Sequence, residues 1–209
     1  MPVFSVDPLA ALLFASFATL SSTLTVGFKL LTDNPKVVKE LKEEHNKILN
    51  RRKNVNSGFT WEEYKSLIFT PQVINEITRI SNVAPGIFRK AITDVQVNGY
   101  TIPAGWLVMI SPMAVHLNPK LFEDPLEFNP WRWTDEEKRT ELLQNYMPFG
   151  GGIRLCLGAD FAKLFIALFL HILVTEYRWK EIQGGDVVRI SEIIFPQGYH
   201  IQLNSVTPN

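Results

Sequence analysis

The sequence predicts a mainly α fold with small β-sheets, and three features carry that prediction. Residues 8–28, 36–52, 60–80 and 159–175 have the composition and spacing of helices. Short apolar runs at 95–97 and 100–102 flank Asn98-Gly99, the dipeptide that closes a two-residue hairpin. Between 122 and 133, prolines recur too often for a helix and give an ordered, irregular coil. The hydrophobic share of 46% and charged share of 20% over 209 residues suit a globular chain with a large core. The formal net charge is zero and no basic run interleaves with aromatics, so nucleic acid is not an expected partner.

The elements follow in order. Asp7 and Lys29 bracket an uncharged stretch, Pro8 to Phe28, long enough to span a bilayer. Its hydroxyls (Ser16, Thr19, Ser21, Ser22, Thr23, Thr25) and the lack of a basic flank favour a buried helix crossing a core over a span or signal peptide. Asp33-Asn34-Pro35 is a helix start. Lys36 to Arg52 is a solvated surface helix with Val37, Val38, Leu41, Ile48 and Leu49 inward, and His45 is expected to be exposed. Asn54 to Gly58 is a linker. Thr60-Trp61-Glu62-Glu63 has capping-box spacing and opens a helix to about Ile80, bent or divided by Pro71. Glu76 and Arg79 share one face of it; by themselves they make a surface ion pair worth under about 1 kcal/mol.

Val83 to Arg89 is apolar, turned, and ends on a cation. After the hairpin, Pro103-Ala104-Gly105 turns the chain into a strand from Trp106 to Ile110, expected to be buried because it is apolar throughout. His116 opens a short turn and is expected to hydrogen-bond there rather than bind metal. Phe122 to Trp133 is the proline-rich coil, and Thr134 to Gln144 is a charged, flexible excursion. Tyr146-Met147-Pro148 leads into the stretch on which the chain is organised.

That stretch is Phe149-Gly150-Gly151-Gly152-Ile153-Arg154-Leu155-Cys156-Leu157-Gly158. Cys156 is the only cysteine, so it can close no internal disulfide and build no multi-cysteine zinc site. One cysteine also suits a reducing compartment or a cytosol-facing surface. The glycines let the loop turn back, aim N–H groups at one point and admit something flat. A sulfur that accepts those N–H bonds, just before a helix N-terminus, is held as the metal-binding thiolate. Arg154 sets a cation beside the loop, suited to a carboxylate. The alternative is a free core cysteine in a turn. In the helix from Ala159 to Thr175, Phe161, Leu164, Phe165, Leu168, Phe169 and Ile172 are expected to pack the core, with His171 a core histidine. Trp179 to Ile182 extends beyond it. Residues 187–190 and 199–203 are expected to pair as a hairpin with Ile193 to Gly198 at its tip.

Phe-x-x-Gly-x-Arg-x-Cys-x-Gly resembles the haem-binding loop of the cytochrome P-450 superfamily. The resemblance extends over the whole chain and implies the C-terminal, haem-loop half of that fold, residues 1–209 forming a single partial domain from the central oxygen-side helix to the C-terminal hairpin. It implies that the family's N-terminal half and membrane anchor are absent. It makes Cys156 the axial ligand of the iron, with electron push from the thiolate favouring O–O cleavage. Phe149, Gly150, Arg154, Gly158, Arg89 and Ala15 become cofactor-binding positions, Arg89 toward a haem propionate. Thr19 takes the register of the oxygen-activating threonine; Ala18 stands where the family has an acid, so a relay there must use water or another group. Glu76, Arg79 and Arg132 become a buried structural triad, Arg132 supplied by Phe128-Asn129-Pro130-Trp131-Arg132-Trp133. Val83, Ala84, Ile194 and Phe195 become substrate contacts.

The implied cofactor is haem b, and the implied function is a monooxygenase inserting one oxygen atom from dioxygen into an apolar substrate. Asp94-x-x-Val97-x-Gly99-Tyr100-x-Ile102-Pro103-x-Gly105 resembles the small sheet of plant members, which points to a sterol, brassinosteroid or triterpenoid. Electrons would come from NADPH through NADPH-cytochrome P-450 reductase, at the cytosolic face of the endoplasmic reticulum membrane. Two alternatives stand beside it: a truncated, inactive fragment of such an enzyme, and a small membrane-anchored non-enzyme using residues 8–28 as a span.

Overall fold

A computed structural model describes residues 6–52, 54, 57–190 and 193–206. Four helices carry the core: α1 (Val6–Asp33), α2 (Pro35–Arg51), α4 (Phe69–Ser81) and α7 (Ala159–Glu176), with α3 (Trp61–Ser66) leading into α4. Leu31, Leu41, Val73, Ile77, Ile166, Leu170 and Val174 meet at its centre. Gly27 lets α1 close on α4: a Cβ there would lie 3.0 Å from the Ile77 side chain. The expected burial of the first helix holds only from Thr23 onward. Leu9, Leu12, Leu13, Phe14 and Phe17 are exposed. Residues 8–33 are long and apolar enough to cross a membrane by length and composition.

The linker's Val55 and Asn56 lie outside the described residues. Thr60 and Glu63 close a reciprocal capping box on α3. The chain then breaks at Leu67-Ile68, so Pro71 falls in the first turn of α4, where its missing N–H costs nothing. Glu44 of α2 caps that turn: its carboxylate accepts from the N–H groups of Ile68 (2.6 Å), Phe69 (2.7 Å) and Thr70 (2.9 Å).

His45 is fully buried, against expectation. Val37, Leu41, His45 and Ile48 continue one stripe at three- and four-residue spacing, so the ring enters the core among the apolar side chains. There it bonds the Thr70 hydroxyl (3.0 Å) and the Nδ1 of His171 (3.1 Å). On α7 the expected stripe holds only in part: Leu164 is half-buried and Phe169 packs against the core, but Phe161, Phe165, Leu168 and Ile172 are exposed, while Ile166, Ala167, Leu170, His171, Leu173 and Val174 are buried. That helix is apolar on every side, so its neighbours choose the buried face.

The strands form two-stranded antiparallel pairs. β1 (Ile87–Lys90) pairs with β4 (Leu107–Ile110), and β2 (Val95–Val97) with β3 (Tyr100–Ile102), around the left-handed Asn98-Gly99 turn. β4 is largely exposed rather than buried, its sheet being covered by no other described element along Leu107 and Met109. α5 (Pro112–His116) and a 3-10 turn at Pro130–Trp133 follow. The expected excursion at 134–144 is instead α6 (Glu136–Gln144), started by Asp135, whose carboxylate accepts from the N–H groups of Glu137 and Lys138. The C-terminal pairing also differs from expectation. β5 (Tyr177–Gly184) pairs with β8 (Tyr199–Ser205), while β6 (Val188–Arg189) pairs with β7 (Ile193–Ile194) inside the connection. β5 continues directly from α7 and offers the longer partner to β8.

Candidate functional site

The site is assembled from the buried end of α4 outward. Glu76 and Arg79 are both 0% exposed and bond in a fork, Nε to Oε2 at 2.9 Å and Nη2 to Oε1 at 2.8 Å. Arg132 closes on the same carboxylate, Nε to Oε1 at 2.9 Å. So the predicted triad is physically together. Two donors not foreseen complete it: the Asn129 N–H (3.1 Å) and the indole of Trp133 (3.0 Å), a ring with no exposure at all. Trp133 sits directly after Arg132, and its position beside an expected buried acid was the available clue. The rest of Arg79 donates to the carbonyls of His116 (2.8 Å), Pro125 (2.7 Å) and Glu127 (3.2 Å). A surface ion pair is thus replaced by a cluster in which each charge is satisfied, and loss of one partner strands the other.

From this cluster two links reach the cysteine loop. The Tyr146 hydroxyl bonds Thr78 of α4 and its ring lies edge-on to Trp133; burial pushes its phenol well above the usual range. His116, fully buried, bonds Asn82 Oδ1 through Nδ1 (2.8 Å) and accepts the Met147 N–H at Nε2 (3.0 Å). Burial, then the nearby Arg79 cation, lower its pKa to about 4, against the pull of Glu76.

The loop itself turns on Gly150 and Gly152, both left-handed (φ +74° and +64°), and a short 3-10 turn at Gly152–Arg154. A Cβ at Gly150 would lie 3.6 Å from Ile87 of β1, so the loop rests on the strand that carries Arg89. Lys163 of α7 lies over the Phe149 ring at 5.5 Å. Cys156 is free and exposed two residues before Gly158, the N-cap residue of α7. The expected N–H cradle on the sulfur is not formed among the described residues. The Cys156 N–H donates instead to the Phe149 carbonyl (2.9 Å) and that of Leu155 to the Gly152 carbonyl (3.1 Å). Arg154 has no ion-pair partner among the described residues, and Arg89 donates only to the Phe88 carbonyl (2.9 Å). Ile153, Leu155 and Leu157 present bare hydrocarbon beside the thiol.

This donor set fits an iron porphyrin: one sulfur, two cations without carboxylate partners, apolar side chains around them, and glycines that leave room for a flat group. Thr19 and Ala15 lie on the exposed part of α1, away from the loop in the chain; the Thr19 hydroxyl donates to the Ala15 carbonyl (2.7 Å), tying both positions to local helix bonding. Val83 and Ala84 follow α4, Ile194 ends β7 and Phe195 comes directly after it. Arg189 of β6 connects the two segments by donating to the carbonyls of Ile80 (2.8 Å) and Ser81. Nothing in its local sequence distinguished this arginine.

The cytochrome P-450 family profile matches residues 8–201. The chain belongs to the cytochrome P-450 family. It is 55% identical over 199 residues to cytochrome P-450 87A3 of Oryza sativa subsp. japonica, covering 95% of this chain and 39% of that protein. It is 46% identical over 199 residues to a cucurbitadienol 11-hydroxylase of Siraitia grosvenorii, covering 95% and 42%. The solved structure of retinoic-acid-bound cyanobacterial CYP120A1 superposes with a TM-score of 0.83 at 31% identity, over 94% of this chain and 45% of that one. The chain spans about two-fifths of the length of these curated P-450 relatives.

Proposed function

We propose that this chain carries the haem-thiolate centre of a P-450 monooxygenase, with Cys156 as the residue that would hold the iron. The observation that carries the reading is a single exposed thiol in a glycine turn, fastened to a fully satisfied Glu76–Arg79–Arg132 cluster. Bound haem b would supply activation of dioxygen and transfer of one oxygen atom to a C–H bond. The chain's own residues do the rest. Cys156 Sγ would lose its proton to solvent and hold the iron, Arg89 and Arg154 would face the propionates, and the apolar loop side chains would exclude water from the sulfur. Gly150 and Gly158 leave room for the ring, and Phe149 covers the sulfur side.

In this reading Thr19 moves a proton at Oγ1, and does so only after releasing its bond to Ala15. Val83, Ala84, Ile194 and Phe195 border an apolar substrate, a sterol, brassinosteroid or triterpenoid, in line with a relative named for hydroxylating cucurbitadienol. Electrons would be supplied from NADPH through a reductase on the cysteine side, at the cytosolic face of the endoplasmic reticulum membrane. A second reading, a haem-binding chain without turnover, is favoured by one observation: Ala18 stands where the family's acid would be and the Thr19 hydroxyl is engaged.

Haem titration followed by reduction under CO tests the centre. The thiolate-type shifted Soret band is expected in the chain and absent in Cys156→Ala. A histidine-type band in both, or no uptake by the chain, removes the proposal.

A further inference from the structure

We propose that His116 is the positioning residue through which the buried Glu–Arg cluster holds the cysteine loop. The inference deepens the reading above and rests on it where it concerns the iron ligand; as a hold on the loop it stands on geometry alone. Three bonds converge on this one residue. Its carbonyl accepts Arg79 Nη1 (2.8 Å), its Nδ1 faces Asn82 Oδ1 (2.8 Å), and its Nε2 faces the Met147 N–H (3.0 Å).

The partners determine the ring's chemistry. An amide N–H can only donate, so Nε2 must be the acceptor and Nδ1 must carry the proton. Asn82 is itself oriented: it caps α4 in the left-handed conformation and its amide donates to the Arg79 carbonyl at 2.6 Å. The imidazole is therefore a rigid strut between the C-terminus of α4 and the backbone three residues before Gly150. Met147 in turn accepts the Gly150 N–H (3.0 Å) and begins the turn that closes when Cys156 donates to Phe149. Moving the acceptor away from Met147 frees the first bond of that series.

Two isosteric substitutions separate the two ends of the strut. His116→Gln places an amide oxygen near Nε2 and can still accept from Met147. His116→Asn places its amide near Nδ1 and can still reach Asn82, but leaves Met147 without an acceptor. Amide hydrogen exchange over 147–158 in the isolated chain is the readout. The Asn variant is expected to exchange about tenfold faster there, with α2 and α7 unchanged, and the Gln variant to stay within about twofold of the parent. Equal acceleration in both variants, or none in the Asn variant, overturns the proposal. Should the Asn variant fail to fold, the parent chain still decides. Nitrogen NMR must show a proton-free Nε2 with coupling across the hydrogen bond to the Met147 nitrogen, and a protonated Nε2 sinks it. Neither measurement needs haem, so a failed CO spectrum would remove the reading of Cys156 and leave this result separate.

Discussion

At the scale of single residues, charge burial is the dominant effect. Arg79 makes five side-chain hydrogen bonds, two to Glu76 and three to carbonyls, at zero exposure. Arg79→Met leaves Glu76 with Arg132, Trp133 and the Asn129 N–H but removes its closest counter-charge. The expected loss is about 3–5 kcal/mol in urea unfolding, enough to unfold a marginal domain. His45 and His116 supply a pH dependence with a definite sign. Both have folded pKa values lowered to about 4, from 6.5, mainly by burial. Between pH 6.5 and about 4 the unfolded chain binds protons that the folded chain refuses. Stability therefore falls as pH drops through that window, by about 1.4 kcal/mol per pH unit for each histidine, and is full above it. A denaturation series from pH 7.5 to 4.5 checks this; His116→Gln should flatten the slope by the share of one histidine.

At the scale of elements, the helix ends matter more than the propensities. Glu44 supplies acceptors to three successive N–H groups and to the Thr70 hydroxyl, at the break that the α3–α4 sequence itself creates. Glu44→Ala is expected to destabilise by about 1–2 kcal/mol, read from thermal unfolding, with exchange at Ile68–Thr70 rising first. The apolar side of α7 behaves oppositely. Phe161→Ser or Phe165→Ser, on its exposed face, should change the stability of this chain by less than about 0.5 kcal/mol, whereas Leu170→Ala should cost about 2–5 kcal/mol.

These elements also show what could be read beforehand. The cysteine loop was legible because its residue types and spacing coincide within ten residues, whereas the buried closing of Glu76, Arg79 and Arg132 was legible only through the family resemblance, since spacing alone gives a surface pair. The burial of His45 was legible in principle, since it continues the Val37–Leu41–Ile48 stripe, but its polarity masked the spacing. The buried face of α7, the β5–β8 pairing and the reach of Glu44 to Ile68 were not. Each depends on a partner distant in the chain, and an all-apolar helix or two competing strands leave periodicity nothing to distinguish. The sulfur's lack of N–H partners belongs here too: composition gives a glycine loop its freedom, but only the closed turn decides which carbonyls take its donors.

At the scale of the whole molecule, the fold separates a buried helical interior from an exposed rim. α1, α2, α4 and α7 pack the core, while the thiol, Arg89, Arg154 and the exposed part of α1 lie at its edge. Substitutions at the rim should then change ligand chemistry without unfolding the chain. Cys156→Ala removes an exposed side chain with no hydrogen-bond partner among the described residues, and its expected stability change lies within about 0.5 kcal/mol. A measured loss much above that would place the sulfur in the packing rather than at the rim.

The lone sulfhydryl has a practical corollary. A maleimide reagent has one place to react on this polypeptide, so the fraction of chains modified counts open sulfurs directly. Whatever coordinates through that atom must shield it stoichiometrically, and mass spectrometry of the labelled mixture would then read the occupancy of the seat without any turnover assay.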